Sequence, residues 1–131
     1  MKEELFSNDI LDGHLDDGIM VLKFKVKKFD LDAAKVAVAA RLEASKGVSY
    51  PMLVDGREVS SISKEARDYF ATDDGVKDLL ATGLVAESVL GKFIGNFFLQ
   101  INKPKLPLRL FTDEKEAYKW LQQFKPKKIA K

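Results

Sequence analysis

Residues 51–70 read PMLVDGREVSSISKEARDYF, and the fold turns on how this stretch is understood. Pro51, Met52, Leu53 and Val54 are a short apolar run that closes on a carboxylate, Asp55. A strand apolar on both faces suits the middle of a parallel sheet, where helices cover it from two sides. Arg57, Ser60 and Ser61 then make a polar loop, and Ser63 stands where its hydroxyl caps a helix over Lys64–Ala71. A buried strand, a loop and a helix in immediate succession predict an alternating α/β chain.

Working outward from that unit, the pattern repeats. Upstream, Asp9–Leu15 and Ile19–Lys27 read as two strands joined at Asp16-Asp17-Gly18, with Leu22, Phe24 and Val26 alternating against Lys23, Lys25 and Lys27. Asp30 or Asp32 caps a helix that runs to Ser45 and stops at Gly47, with Leu31, Ala34, Val38 and Leu42 on its inward face. Downstream, the turn Asp73-Asp74-Gly75 leads to a short helix at Val76–Leu80 and a buried strand at Thr82–Ala86. Leu90, Phe93, Ile94, Phe97, Phe98 and Ile101 recur at helical spacing, and Lys103-Pro104-Lys105 ends that helix. Leu108–Phe111 is a last strand. Asp113 and Glu116 open a last helix with Ala117, Trp120, Leu121 and Phe124 inward, and Pro126 stops it. The predicted order is β-β-α-β-α-β-α-β-α, a mixed sheet with an antiparallel hairpin first and parallel strands after.

Composition narrows the chemistry. With 131 residues, 46% apolar and 32% charged, the chain is sized for one core, so residues 1–124 are expected to be one domain and the basic 125–131 its tail. No cysteine is present, which removes disulfides, thiolate metal sites and thiol catalysis. The opening MKEELFSNDILDG is polar, and no run approaches the roughly 20 apolar residues of a membrane span. These features predict a cytoplasmic protein with no membrane insertion. The net charge of +2, with basic residues scattered, predicts no nucleic-acid partner.

This order of elements, with the phrases DDGIMVLKF, LVAESVLGKFIGNFFLQINKP and PLRLFTDEKEAYKWL, resembles the STAS domain of anti-sigma-factor antagonists, in particular a bacterial SpoIIAA-like group. The resemblance runs from Asp9 to Phe124. It implies a regulatory or protein-interaction module rather than an enzyme. Phosphorylatable STAS proteins carry an Asp-Ser-Ser/Thr-Gly motif in the loop after the strand equivalent to Met52–Asp55. Here that loop offers Ser60, Ser61 and Ser63, but Ser63 is followed by Lys64-Glu65, so the motif is not kept.

Three sites follow from the residues. The first is an interaction or modification loop comprising Arg57, Ser60, Ser61, Ser63 and Arg67, in which a phosphate on serine would meet helix N–H groups and cations. The plainer reading is a capped helix behind a solvated loop. The second is an apolar pocket lined by Phe93, Phe97 and Phe98, set against the reading of that stripe as ordinary core. The third gathers Asp55, Glu87, Ser88, Thr112 and Asp113 at the carboxyl ends of the strands, where open α/β sheets place ligands. Carboxylates there could do acid–base chemistry, or Asp55 could simply accept loop N–H bonds while Arg67 makes an ion pair. His14, the one histidine, sits beside Asp12, Asp16 and Asp17 in turn chemistry without calcium-loop spacing.

With no phosphate loop or nucleophile elbow, no catalytic residue, no metal and no cofactor is assigned. The leading expectation is a non-enzymatic module with a protein partner, and a homodimer is compatible with it. The alternatives are a binder of a small apolar or lipid-like molecule and a carboxylate-based enzyme.

Overall fold

The computed structural model of the chain describes residues 2–87 and 106–126. In chain order the elements are β1 (Lys2–Ser7), β2 (Leu11–Asp16), β3 (Ile19–Phe24), β4 (Lys28–Phe29), α1 (Leu31–Ser45), β5 (Tyr50–Asp55), β6 (Ser61–Ile62), α2 (Lys64–Phe70), α3 (Asp73–Val76), β7 (Leu79–Val85), β8 (Leu108–Phe111) and α4 (Glu114–Leu121). A 3-10 turn, Gln122–Phe124, follows α4. Strands β1, β2 and β3 meander antiparallel, and β3, β5, β7 and β8 run parallel. The six lie in the order β1-β2-β3-β5-β7-β8, while β4 and β6 form a separate two-stranded parallel pair. The predicted mixed sheet is therefore present. The Leu90–Ile101 stripe lies outside the described residues.

Alternation along the central strands feeds two cores. Met20, Leu22, Met52 and Val54 face α1 and α2, joining Ala33, Ala34, Ala37 and Ala66. Ile19, Val21, Leu53, Ala81 and Val85 face the opposite way, under Ala117 and Leu121 of α4. Successive residues of β3 and β5 thus enter different cores, which is why both strands read as unbroken apolar runs. Phe24, Phe29 and Phe70 stack at one end of the first core, with ring centroids 4.5 to 6.4 Å apart.

Local chemistry sets the boundaries. Asp17 and Gly18 both have positive φ, 52° and 78°, as a two-residue hairpin of matching twist requires. Asp30 Oδ1 accepts the Ala33 N–H at 2.9 Å and starts α1, and Lys46 and Gly47, both at positive φ, end it. The inward face of α1 is Ala33, Ala34, Ala37, Val38, Arg41 and Ser45, while Leu31 and Leu42 are only half-buried. The helix is rotated from the predicted face because alanines let it lie close to the sheet and a guanidinium occupies its far end.

Three further boundaries differ from expectation. The acidic N-terminus forms a strand, β1, whose register shifts between Glu4 and Phe6. That bulge sends Leu5 and Phe6 toward the same core and erases the period of two. The hairpin strands are also shorter than predicted. Asn8 Oδ1 accepts the Ile10 and Leu11 N–H groups before β2, and β3 ends at Phe24. Finally, the helical turn falls at Asp73–Val76 rather than Val76–Leu80, because Thr72 Oγ1 caps it and Asp78, at φ 61°, breaks it. Leu79 and Leu80 open β7 instead.

Gly13 on β2 lies opposite Phe6, whose ring occupies the space a Cβ would need. Gly13→Val therefore evicts the Phe6 ring and loosens β1. The expected cost is about 1–2 kcal/mol, with faster amide hydrogen exchange across Lys2–Ser7. Unchanged exchange there would mean the ring has another resting place.

Candidate functional site

The carboxyl ends of β5, β7 and β8 lie side by side, and the backbone ties them together. Gly56 N–H donates to the Val85 carbonyl at 2.8 Å, and Ala86 N–H donates to the Phe111 carbonyl at 3.0 Å. At this edge Arg57 folds back on the strand it follows. Its Nε donates to Asp55 Oδ1 at 2.9 Å and its Nη2 to Asp55 Oδ2 at 2.8 Å, a two-pronged pair. Arg57 N–H also donates to Asp55 Oδ1 at 3.1 Å, and Nη2 reaches Glu114 Oε2 at 3.3 Å. Asp55 is buried, whereas the Arg57 side chain is 42% exposed.

Burial pushes the Asp55 carboxyl up, but the hydrogen bonds and charge of Arg57, with Lys23 nearby, outweigh it and hold the pKa below the ordinary carboxylate value. The same bonds raise the Arg57 guanidinium against a smaller desolvation penalty. A depressed native pKa means stability that is present above the unfolded value and lost as the pH falls through the native one. Asp55→Asn is thus expected to cost about 1 kcal/mol at pH 7, a figure reduced for the exposed guanidinium. The gap to the wild type should close only as the pH falls beneath the ordinary carboxylate range and through the depressed native value, where the wild-type carboxyl takes up its proton. Urea unfolding across pH checks this, and a constant gap would assign the cost to packing.

Beyond Arg57 the chain turns over buried Val59 into the serine loop. The Lys27 carbonyl accepts Ser60 N–H at 2.8 Å, Ser61 N–H at 3.1 Å and the Ser60 hydroxyl at 3.1 Å. Ser63 N–H donates to the Phe29 carbonyl at 2.9 Å, and Ser63 Oγ accepts the Ala66 N–H at 3.1 Å, capping α2. Ser60 and Ser61 remain exposed on this fastened backbone. The Ser61 hydroxyl makes no hydrogen bond among the described residues. Lys64 pairs with Asp68 at 2.9 Å, one helical turn on, in a solvent-exposed contact.

The residues singled out in the sequence thus divide. Asp55 and Arg57 meet, and their third partner is Glu114 rather than Asp113, which caps α4 by accepting the Lys115 N–H at 2.9 Å. Nothing in the sequence pointed to Glu114, since contact across 57 positions needs the sheet to bring β5 and β8 to one edge. Arg67 lies in the last turn of α2, and Thr112 and Glu87 are exposed. Ser88, Phe93, Phe97 and Phe98 lie outside the described residues. His14 lies within β2, opposite Glu4 and Val21, and not in the turn itself. Among the described residues no cluster of three or more His, Asp or Glu side chains could hold a metal ion. No described helix is long and apolar enough to cross a membrane.

A mixed six-stranded sheet with an antiparallel start, parallel later strands and helices on both faces defines a SpoIIAA-like, STAS-type α/β domain. Residues 14–125 match the family described as a domain of unknown function, DUF7793, and the chain belongs to that family. The crystal structure of an uncharacterized DUF3478-family protein with a SpoIIAA-like fold, from Shewanella loihica PV-4, is similar to it. That likeness covers 92% of each chain at 17% identity and a TM-score of 0.57, and it concerns the fold alone. No curated protein matches the sequence.

Proposed function

We propose that this chain is a non-enzymatic, STAS-like regulatory module that acts by docking a protein partner on the loop and helix from Arg57 to Tyr69. One observation carries the reading: the Ser60–Ser63 backbone is fastened to Lys27 and Phe29 while Ser60 and Ser61 face solvent. A surface held rigid before binding loses less conformational entropy when a partner arrives, so modest contacts suffice. The neighbouring charges favour recognition over catalysis. A carboxyl locked to Arg57 and held ionised is no proton donor at neutral pH, and the arginine's charge weakens it as a base. Ser61 is the serine best placed for modification, because Ser60 and Ser63 already spend their hydroxyls on the backbone.

A photo-crosslinking residue at position 61, introduced into the chain in its own cells, tests this. Capture of one protein from position 61 but not from Glu43, on the exposed side of α1, is the expected result. Equal capture from both positions, or none from position 61, would remove the loop from consideration.

A further inference from the structure

The two rims of the sheet are built differently. On one rim, β1 carries Lys2, Glu3 and Glu4 and the bulge before Phe6, devices that keep an edge from pairing. On the other rim, β8 reads Leu-Arg-Leu-Phe in regular register with β7, and among the described residues no strand lies on its outer side. Thr82 N–H donates to the Pro107 carbonyl at 2.9 Å, and Ala86 N–H donates to that of Phe111. The alternation of a parallel ladder then turns the backbone groups of Arg109 and Phe111 toward β7 and those of Leu108 and Leu110 outward. Beside this rim, the Arg109 guanidinium carbon sits 5.2 Å from the Phe111 ring centroid. Phe111 packs on Trp120 at 5.7 Å and Trp120 on Phe124 at 4.8 Å. Arginine and tryptophan lead the residues that dominate protein interfaces.

We propose that β8 is a dimerisation edge whose occupant is β8 of a second copy, added antiparallel across a two-fold axis at Leu110. The sequence of the strand supports a self-pairing in that register. Leu110 then exchanges both backbone hydrogen bonds with its counterpart, Leu108 faces Thr112, and Arg109 faces Phe111 of the second copy. The cation–ring contact seen within one chain is thereby repeated between two. The neighbouring register, centred on Arg109, sets two guanidinium groups directly opposite each other and is disfavoured. A closed two-fold also uses up both outward edges, so the pairing stops at two copies.

This edge adjoins the Arg57–Tyr69 loop only where Arg57 reaches Glu114, and oligomeric state tests it apart from the loop's crosslinking. Sedimentation velocity of the full chain across a concentration series tests it, with fluorescence of Trp120, the one tryptophan, as a second readout. The wild type should pass from monomer to dimer as concentration rises. Leu110→Pro removes an outward N–H without touching the β7 ladder, and Arg109→Glu changes an exposed side chain. Each should weaken the dimer by about tenfold or more, with far-UV circular dichroism unchanged for Arg109→Glu. A wild type that stays monomeric up to about millimolar concentration, or a dimer indifferent to Arg109→Glu, would overturn the assignment. So would a monomer whose β8 takes up an extended peptide instead.

Discussion

Arg41→Ala is expected to lower the stability by about 3–4 kcal/mol and the thermal midpoint by about 10 °C or more. Arg41 is 2% exposed, the largest of the fully buried side chains. It reaches from α1 to the α3–β7 connection, donating from Nη1 to the Lys77 carbonyl at 2.7 Å and from Nη2 to the Gly75 carbonyl at 3.2 Å. Burial lowers its pKa, and the charge of Asp78 works against that shift. Truncation strips two carbonyls of a charged donor and leaves a void where the guanidinium lay. Urea unfolding measures the loss. Arg41→Met separates its parts, because it refills the space without supplying a donor. A methionine variant as stable as the wild type would show that the polar contacts are worth nothing net.

Gly75→Ala strikes the same joint from the other side, at an expected cost of about 2–3 kcal/mol. A Cβ on Gly75 would lie 2.5 Å from the carbonyl oxygens of both Tyr69 and Phe70. These are backbone atoms at the end of α2, so no side chain can swing aside to admit the methyl group. The C-terminus of α2 and the α3 turn must separate, which also carries the Gly75 carbonyl away from Arg41. The double variant should therefore lose less than the sum of the two singles. Strict additivity would show that the joint is two independent contacts. A cost below about 0.5 kcal/mol for Gly75→Ala would show that the turn relaxes freely.

The sequence made some elements plain for reasons that can be stated. Leu108–Phe111 and the Asp113-capped helix after it lie where patterning placed them, because turn residues and helix caps are local chemistry. The Met52–Asp55 strand was legible as well, since burial on both faces leaves an unbroken apolar run. What escaped is non-local. Arg41 drew no reading from the sequence, since the carbonyls it serves lie 34 and 36 positions away. β1 escaped because a bulge disrupts the alternation by which strands are recognised. The site divides in the same manner. Ser63 as a helix cap could be read from its neighbours, whereas Arg57 between Asp55 and Glu114 depends on three strands ending together.

One long-range contact ties the last described helix to the opening hairpin. The Tyr118 hydroxyl donates to Asp16 Oδ2 at 3.1 Å, and burial together with that carboxylate keeps the phenol protonated well above its usual range. Nearby, the Lys125 ammonium lies 3.1 Å from an Asp17 carboxylate oxygen. Ile19, Val21, Leu53, Ala81 and Val85 receive Ala117 and Leu121 only when this helix arrives. Because α4 is made after every strand it packs on, a chain emerging from the ribosome has these strand residues before Ala117 and Leu121 exist to meet them. At roughly 5–20 residues per second, a few seconds of synthesis separate Val85 from Leu121, so this core closes last.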